Sequence, residues 1–169
     1  MRRRRFGFVV LALAAVGSLG APTQVAAQKA VSQHATGCQT ISKPRVIELF
    51  DHWNQALLTK RTDAVVAEYA ADATQLPTVE NGPLIGPGAI GQYFTDFLKK
   101  SPQAEVTARA IRTGCNIAYD IGRYTFTVDG DQPGTREQIK ARFTLIYAPV
   151  HGKWLIAHHH SSADPVASE

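Results

Sequence analysis

The chain has 169 residues, 18 Lys and Arg against 14 Asp and Glu, two cysteines, and 44% hydrophobic side chains. Residues 1–27 hold four arginines and no acid, so the rest of the chain carries 14 basic and 14 acidic side chains. That balance lacks the basic stripe of a nucleic-acid binder and gives little electrostatic protection against self-association.

Arg2 to Arg5 form a charged start, followed by an apolar run from Phe6 to about Leu19. The run falls short of the ~20 residues of a membrane span. Val25 and Ala27 stand at the −3 and −1 positions of a cleavage site, so residues 1–27 read as a secretory signal peptide. An uncleaved anchor is the alternative, and the adjacent arginines lack the rest of a twin-arginine motif. Export to the periplasm or the exterior is expected, with no membrane contact after cleavage. The 142 residues that remain suit one domain.

Residues 28–43 are polar and read as a leader. Cys38 lies in it, and Cys115 lies far along the chain. An even count in an exported chain reads as one disulfide, against the alternative of two unpaired thiols. Ser42 can cap a helix and Pro44 suits its first turn, with Val46, Leu49, Phe50, Trp53 and Leu57 at helical spacing. Thr62 can cap a second helix through Val65, Val66 and Tyr69. A strand is expected from Thr74 to Pro77, then a turn at "VENGPLIGP". Pro87 opens a third helix, with Ile90, Tyr93, Phe94 and Phe97 inward and Lys99 and Lys100 in its last turn.

Four strands are expected next, at 104–114, 116–128, 136–149 and 153–162, and 164–169 reads as a tail. Helices followed by an antiparallel meander indicate an α+β fold. The domain is expected to span 44–163.

The last strand carries "WLIAHHHSSA". Strict alternation places His158 and His160 on one face with Trp154 and Ile156, and His159 on the other with Leu155 and Ala157. A His-x-His pair needs a further ligand to hold zinc. His34, His52 and His151 supply no partner motif, so no metal and no cofactor are expected. Ser161 and Ser162 adjoin histidines, but adjacency on a strand is not triad geometry. "GPLIGPGAIG" lacks the lysine and spacing of a phosphate loop and reads as a turn.

"DAVVAEYAADATQL" resembles the start of nuclear transport factor 2-like and SnoaL-like domains. "CNIAYDIGRYTFTVDG", "KARFTLIY" and "GKWLIAHHHSS" resemble the association (hub) domain of calcium/calmodulin-dependent protein kinase II, and more so the exported bacterial SgcJ/EcaC-type proteins of that family. The resemblance covers about Pro44 to Ala163. It implies a cone-shaped α+β fold, with three helices packed on a curved, mostly antiparallel sheet, a pocket, and homo-oligomerisation through the sheet. It implies no catalysis, and the chain carries none of the ATP-binding and catalytic loops of a kinase. Of the hub's pocket arginines, Arg123 matches one, Ser161 stands where another would be, and Arg136 is near a third. Ile90 replaces a helix histidine.

Arg142 sits in an otherwise apolar strand, so it should face a cavity or pair with Glu48, Glu68 or Asp51. Asp120 falls on the face opposite Arg123, and Asp72 at a helix exit suits local caps and turns. The expected ligand-lining set is Trp53, Tyr93, Tyr124, Arg123, Arg142, His158, His160 and Ser161, with plain core as the rival reading of the aromatics. His158 and His160 are the candidates for acid–base chemistry. The expectation is a non-catalytic oligomer binding a small organic ligand, which the arginines would suit if it is anionic. The alternative is a SnoaL-like or ketosteroid-isomerase-like acid–base enzyme acting on a small carbonyl compound.

Overall fold

The computed structural model describes residues 37–78 and 80–165. The expected signal peptide, the expected leader before Gly37 and the expected tail beyond Pro165 lie outside the described residues. Helix α1 (Lys43–Leu58) starts where the Ser42 side chain accepts the Arg45 amide, and Pro44 occupies its first turn. Its apolar face, including Val46, Phe50, Trp53 and Leu57, is buried as the spacing predicts.

Helix α2 (Thr62–Val66) is shorter than expected, and Tyr69 opens strand β1 (Tyr69–Leu76) instead of closing the helix. Sheet pairing captures the chain there: the Glu68 carbonyl accepts the Ile156 amide at 2.9 Å. Strand β2 (Leu84–Ile85) leads into α3 (Gly86–Phe97), which begins at Gly86 with φ +74°. A side chain there would be strained and would sit 3.4 Å from the Ala71 carbonyl. Ile90 and Phe94 of α3 are buried, while Lys99 and Lys100 fall in a 3-10 turn ended by the left-handed Ser101.

Strands β3 (Gln103–Thr113), β4 (Ala118–Asp129), β5 (Arg136–Val150) and β6 (Lys153–Ala163) follow. The sheet order is β2-β1-β6-β5-β4-β3, antiparallel throughout except for the parallel β1–β6 pair. This is the expected α+β fold with a mostly antiparallel sheet, its last strand paired in parallel with the first. The core lies between the helices and the inner sheet face, which carries Tyr124, Phe126 and Val128 of β4 and Phe143, Leu145 and Tyr147 of β5. Thr107 is an extra residue in β3 and presses its strand toward Gly122, where an added Cβ would lie 2.0 Å from the Ala108 carbonyl.

Strand β4 begins at Ala118, later than expected, because Asn116 takes a left-handed conformation and joins the N-terminal segment. The amides of Asn116 and Gln39 donate to the Gln39 carbonyl and the Asn116 side chain, each at 2.8 Å. Beside them Cys38 and Cys115 form a disulfide, with Cα atoms 5.1 Å apart across 77 residues. Closing so long a loop restricts the unfolded chain, so Cys115→Ser is expected to lower unfolding stability by about 3 kcal/mol in urea titrations. A loss under about 1 kcal/mol would show that the loop contributes little.

Candidate functional site

Strand β6 departs from strict alternation. Ile146 pairs with His158, but the next residue, Tyr147, pairs with Ile156, so Ala157 is an extra residue. The bulge reverses the expected faces. Ile156, His159 and Ser161 point into the protein, and Trp154 packs against the same core. His158 and His160 point outward, half-buried and exposed respectively. The expected grouping of His158 and His160 with Trp154 and Ile156 is therefore corrected, and the interior histidine is His159.

The predicted site divides into two places. Trp53, Tyr93, Tyr124 and Ser161 meet around a small interior cavity, joined by Gln75, Thr78, Phe94, Phe97, Phe126 and His159. Its volume is ≈ 10 Å³, room for about one water molecule. Trp53 Nε1 donates to Tyr69 Oη at 3.1 Å, and Tyr69 Oη lies 2.9 Å from His159 Nδ1. Indole N–H can only donate, so Tyr69 Oη accepts from Trp53; with the neutral imidazole protonated on Nε2, the tyrosine hydroxyl donates to Nδ1. Burial pushes His159 down to about 3, and His158 and His160 add to the effect. Tyr124 Oη donates to Ser161 Oγ at 2.6 Å, and Thr78 shares a hydrogen bond with the same hydroxyl. Gln75 Oε1 is buried without a partner. Every polar group in this lining is uncharged.

Arg123, Arg142 and His160 lie on the outer face, in a groove of ≈ 630 Å³ with Ile121, Thr144, Ser162, Asp164 and Pro165. Arg123 is directly opposite Arg142 in the β4–β5 register. Arg123 pairs with Asp164, whereas among the described residues Arg142 donates only to the Ala163 carbonyl, at 3.4 Å. Arg142 is exposed, so the expected ion pair with Glu48, Glu68 or Asp51 is absent among the described residues. The buried apolar positions of its strand, Ala141, Phe143, Leu145 and Tyr147, face inward, and Arg142 occupies an outward position. Arg136 lies away from both places, paired with Asp129 at the β4–β5 turn. His158 is outside the groove lining, and burial, reinforced by His160, lowers its pKa.

The buried ion pair among the described residues is one the sequence reading missed. Asp120 is fully buried on the inner face, 2.9 Å from Arg109, whose guanidinium also lies 4.9 Å from the centre of the Phe50 ring. The Thr107 bulge turns Arg109 inward. Asp120 does lie on the face opposite Arg123, as alternation predicts. Among the described residues no three His, Cys, Asp or Glu side chains converge in a way that could hold a metal ion.

The family model for the calcium/calmodulin dependent protein kinase II association domain matches residues 42–165. The chain belongs to this association-domain family. It is 38% identical to a Xanthomonas campestris protein described as such a domain, covering 79% of this chain and 99% of that one, with a TM-score of 0.70. The fold is shared with a nuclear transport factor 2-like superfamily protein of Salmonella enterica serovar Typhimurium, at 16% identity, coverage of 74% and 92%, and a TM-score of 0.63. It is also shared with a nuclear transport factor 2-like protein of Pseudomonas putida, at 18% identity, coverage of 73% and 87%, and a TM-score of 0.61. No curated protein matches the chain. Thus the association-domain resemblance, first carried by the strand motifs, is the family of the chain, and the nuclear transport factor 2-like fold goes with it.

The sequence reading passed over Tyr69, Gln75, Thr78 and His159. A β1 strand starting at Tyr69 would have exposed the first two, since Tyr69, Ala73 and Gln75 share the buried side. Nothing in the sequence marks the Ala157 bulge that selects His159.

Proposed function

We propose that this association-domain chain is an exported, non-catalytic protein that assembles with copies of itself and binds a small organic ligand. The observation that carries the assembly half is a row of exposed apolar side chains on the outer face: Ile117, Tyr119 and Ile121, each at least 37% exposed. The β4–β5 register sets Tyr119 beside Ile146 and Ile121 beside Thr144, which makes the row part of a broader face of one sheet. Contiguous apolar surface of this kind favours a protein partner over water, and the family description supports a second copy as that partner. The Cys38–Cys115 disulfide supports an oxidising compartment. Among the described residues no helix is long and apolar enough to cross a membrane.

Acid–base turnover of a small carbonyl compound is less well supported. The interior cavity has room for about one water, and its histidine stays neutral and weakly basic near pH 7.

Light scattering coupled to size exclusion tests the assembly. The wild-type chain is expected to run as a dimer or larger at micromolar concentration, and Ile121→Asp to shift it toward monomer. A wild-type monomer that Ile121→Asp leaves unchanged would overturn the reading.

A further inference from the structure

We propose that the self-assembly face extends from β4 across β5 to β6, so that a second copy of the chain covers His158 and His160 and the assembly comes apart as the solution turns acid. This rests on the assembly half of the proposed function and names the extent and the regulation of that surface.

The strand register lays out the outer face in columns. Tyr119 and Ile121 of β4 lie beside Ile146 and Thr144 of β5. Ile146 and Thr144 lie in turn beside His158 and His160 of β6. The Ala157 bulge puts both imidazoles in this plane, one half-buried and one exposed before any copy docks. Neighbouring strands lie about 4.8 Å apart, so the histidine column is about 10 Å from the Tyr119–Ile121 row. A standard interface covers about 800 Å² of each partner, a patch roughly 30 Å across. On the other side of β4 the sheet has one more strand, β3, and then ends. A patch of that size centred on β4 therefore reaches β6.

The surroundings of the two histidines supply no counter-charge. From β1, Thr74 and Leu76 stand opposite them, and the exposed Asp72 lies two residues before Thr74. From β5, Ile146 and Thr144 face them, with Arg142 and Lys140 further along the same strand. Arg142 is opposite Arg123, which engages Asp164. His159, between them in sequence, faces the interior, where the helices pack. Among the described residues no carboxylate forms an ion pair with either outer histidine.

An imidazole ordinarily gains its proton as pH falls through about 6.5. Covering it disfavours the charged form, so protons bind the free face more tightly than the covered one. Assembly is therefore full above that window and weakens as pH falls through it. Burial and then His160 already hold the His158 pKa down, which extends the window to lower pH. In a two-fold contact each patch meets its own copy. Every charge gained by one partner is then matched by the other, on a face that already carries Arg123, Arg142 and Lys140, and like charges set against each other oppose association.

Sedimentation equilibrium of the full exported chain tests this. The wild-type dissociation constant is expected to rise at least about tenfold from about pH 7.5 to about pH 5.5, with near-UV circular dichroism unchanged. His158→Gln with His160→Gln should assemble at both pH values and change by less than about threefold. His159 and Asp120 titrate alike in both proteins, so the difference between them reads the outer pair. At about pH 7.5, His160→Lys should weaken assembly at least about tenfold, whereas His160→Met, of similar bulk and uncharged, should not. This neutral-pH comparison decides even where acid loosens the fold. Equal pH dependence in the wild type and the double variant, or equal assembly by His160→Lys and His160→Met, would overturn the proposal. A wild-type oligomer whose dissociation constant holds across the range sinks this inference alone. A wild-type monomer at both pH values sinks the assembly reading and this one with it.

Discussion

Arg109→Ala is expected to destabilise the fold by about 3–5 kcal/mol, because it leaves the fully buried Asp120 carboxylate without a counter-ion. Burial raises the pKa of Asp120, and Arg109 opposes that rise through its charge and hydrogen bond. Without Arg109 the carboxyl rises further. A carboxyl with a raised folded-state pKa holds a proton that the unfolded chain has released, so folding is favoured as pH falls through that window. The cost of Arg109→Ala should therefore be largest near neutral pH and shrink in acid, where protonated Asp120 needs no partner. Urea titrations at about pH 7 and about pH 4.5 measure both effects. Replacing the pair together, Arg109→Met with Asp120→Leu, should cost less than Arg109→Ala alone, since no charge is stranded. A loss under about 1 kcal/mol for Arg109→Ala would show that the pair is not what holds this end of the sheet.

His159 drives the opposite pH dependence. Its folded-state pKa is about 3, against about 6.5 in the unfolded chain. Above the unfolded value both states are neutral and the group contributes no pH dependence. As pH falls below it, the unfolded chain takes up a proton that the folded protein refuses, and stability drops by about 1.4 kcal/mol per unit. From this histidine alone the wild-type protein should lose about 3 kcal/mol between about pH 7 and about pH 4.5. His159→Phe keeps a planar ring beside Trp53, whose ring centre is 5.2 Å away, and removes the titration. At neutral pH the variant should be less stable by about 1–2 kcal/mol, because the Tyr69 hydroxyl loses its hydrogen-bond partner on His159. In acid the deficit should vanish or reverse. Asp120 titrates in both proteins, so the difference between them isolates His159. Parallel stability curves for wild type and variant over this range would refute the assignment.

Much of the architecture is legible in the sequence. Ser42, Pro44 and the spacing from Val46 to Leu57 specify α1, and the long alternating segments after Gln103 specify an antiparallel meander. What escaped the reading escaped for local reasons. Tyr69 continues an apolar helical pattern, and only pairing with Ile156, far along the chain, pulls it into a strand. Both bulges are single extra residues, Thr107 and Ala157, of ordinary composition. Each exchanges the faces of everything beyond it. Thr107 turns Arg109 inward, and Ala157 turns His159 and Ser161 inward and sends His160 out. The candidate residues were therefore grouped as one pocket, where the structure sorts them into an uncharged interior cluster and a cationic outer groove and leaves His158 in neither. Arg142 stands between the inward Ala141 and Phe143, and alternation along the strand accounts for its outward position.

The sheet order carries a consequence for how the protein comes to be. Strand β6 is made after every other element of the domain, yet it lies between β1 and β5. A growing chain that has emerged only through β5 would hold two pieces of sheet with unpaired edges and no strand to join them. It would also lack His159 and Ser161 on the inside and His160 and Ser162 on the outside. Completing the sheet then requires a parallel pairing between segments roughly 85 residues apart, a slow step for a chain of this length. For the exported chain we propose, that order keeps the domain uncommitted to its final form until its last strand has been made.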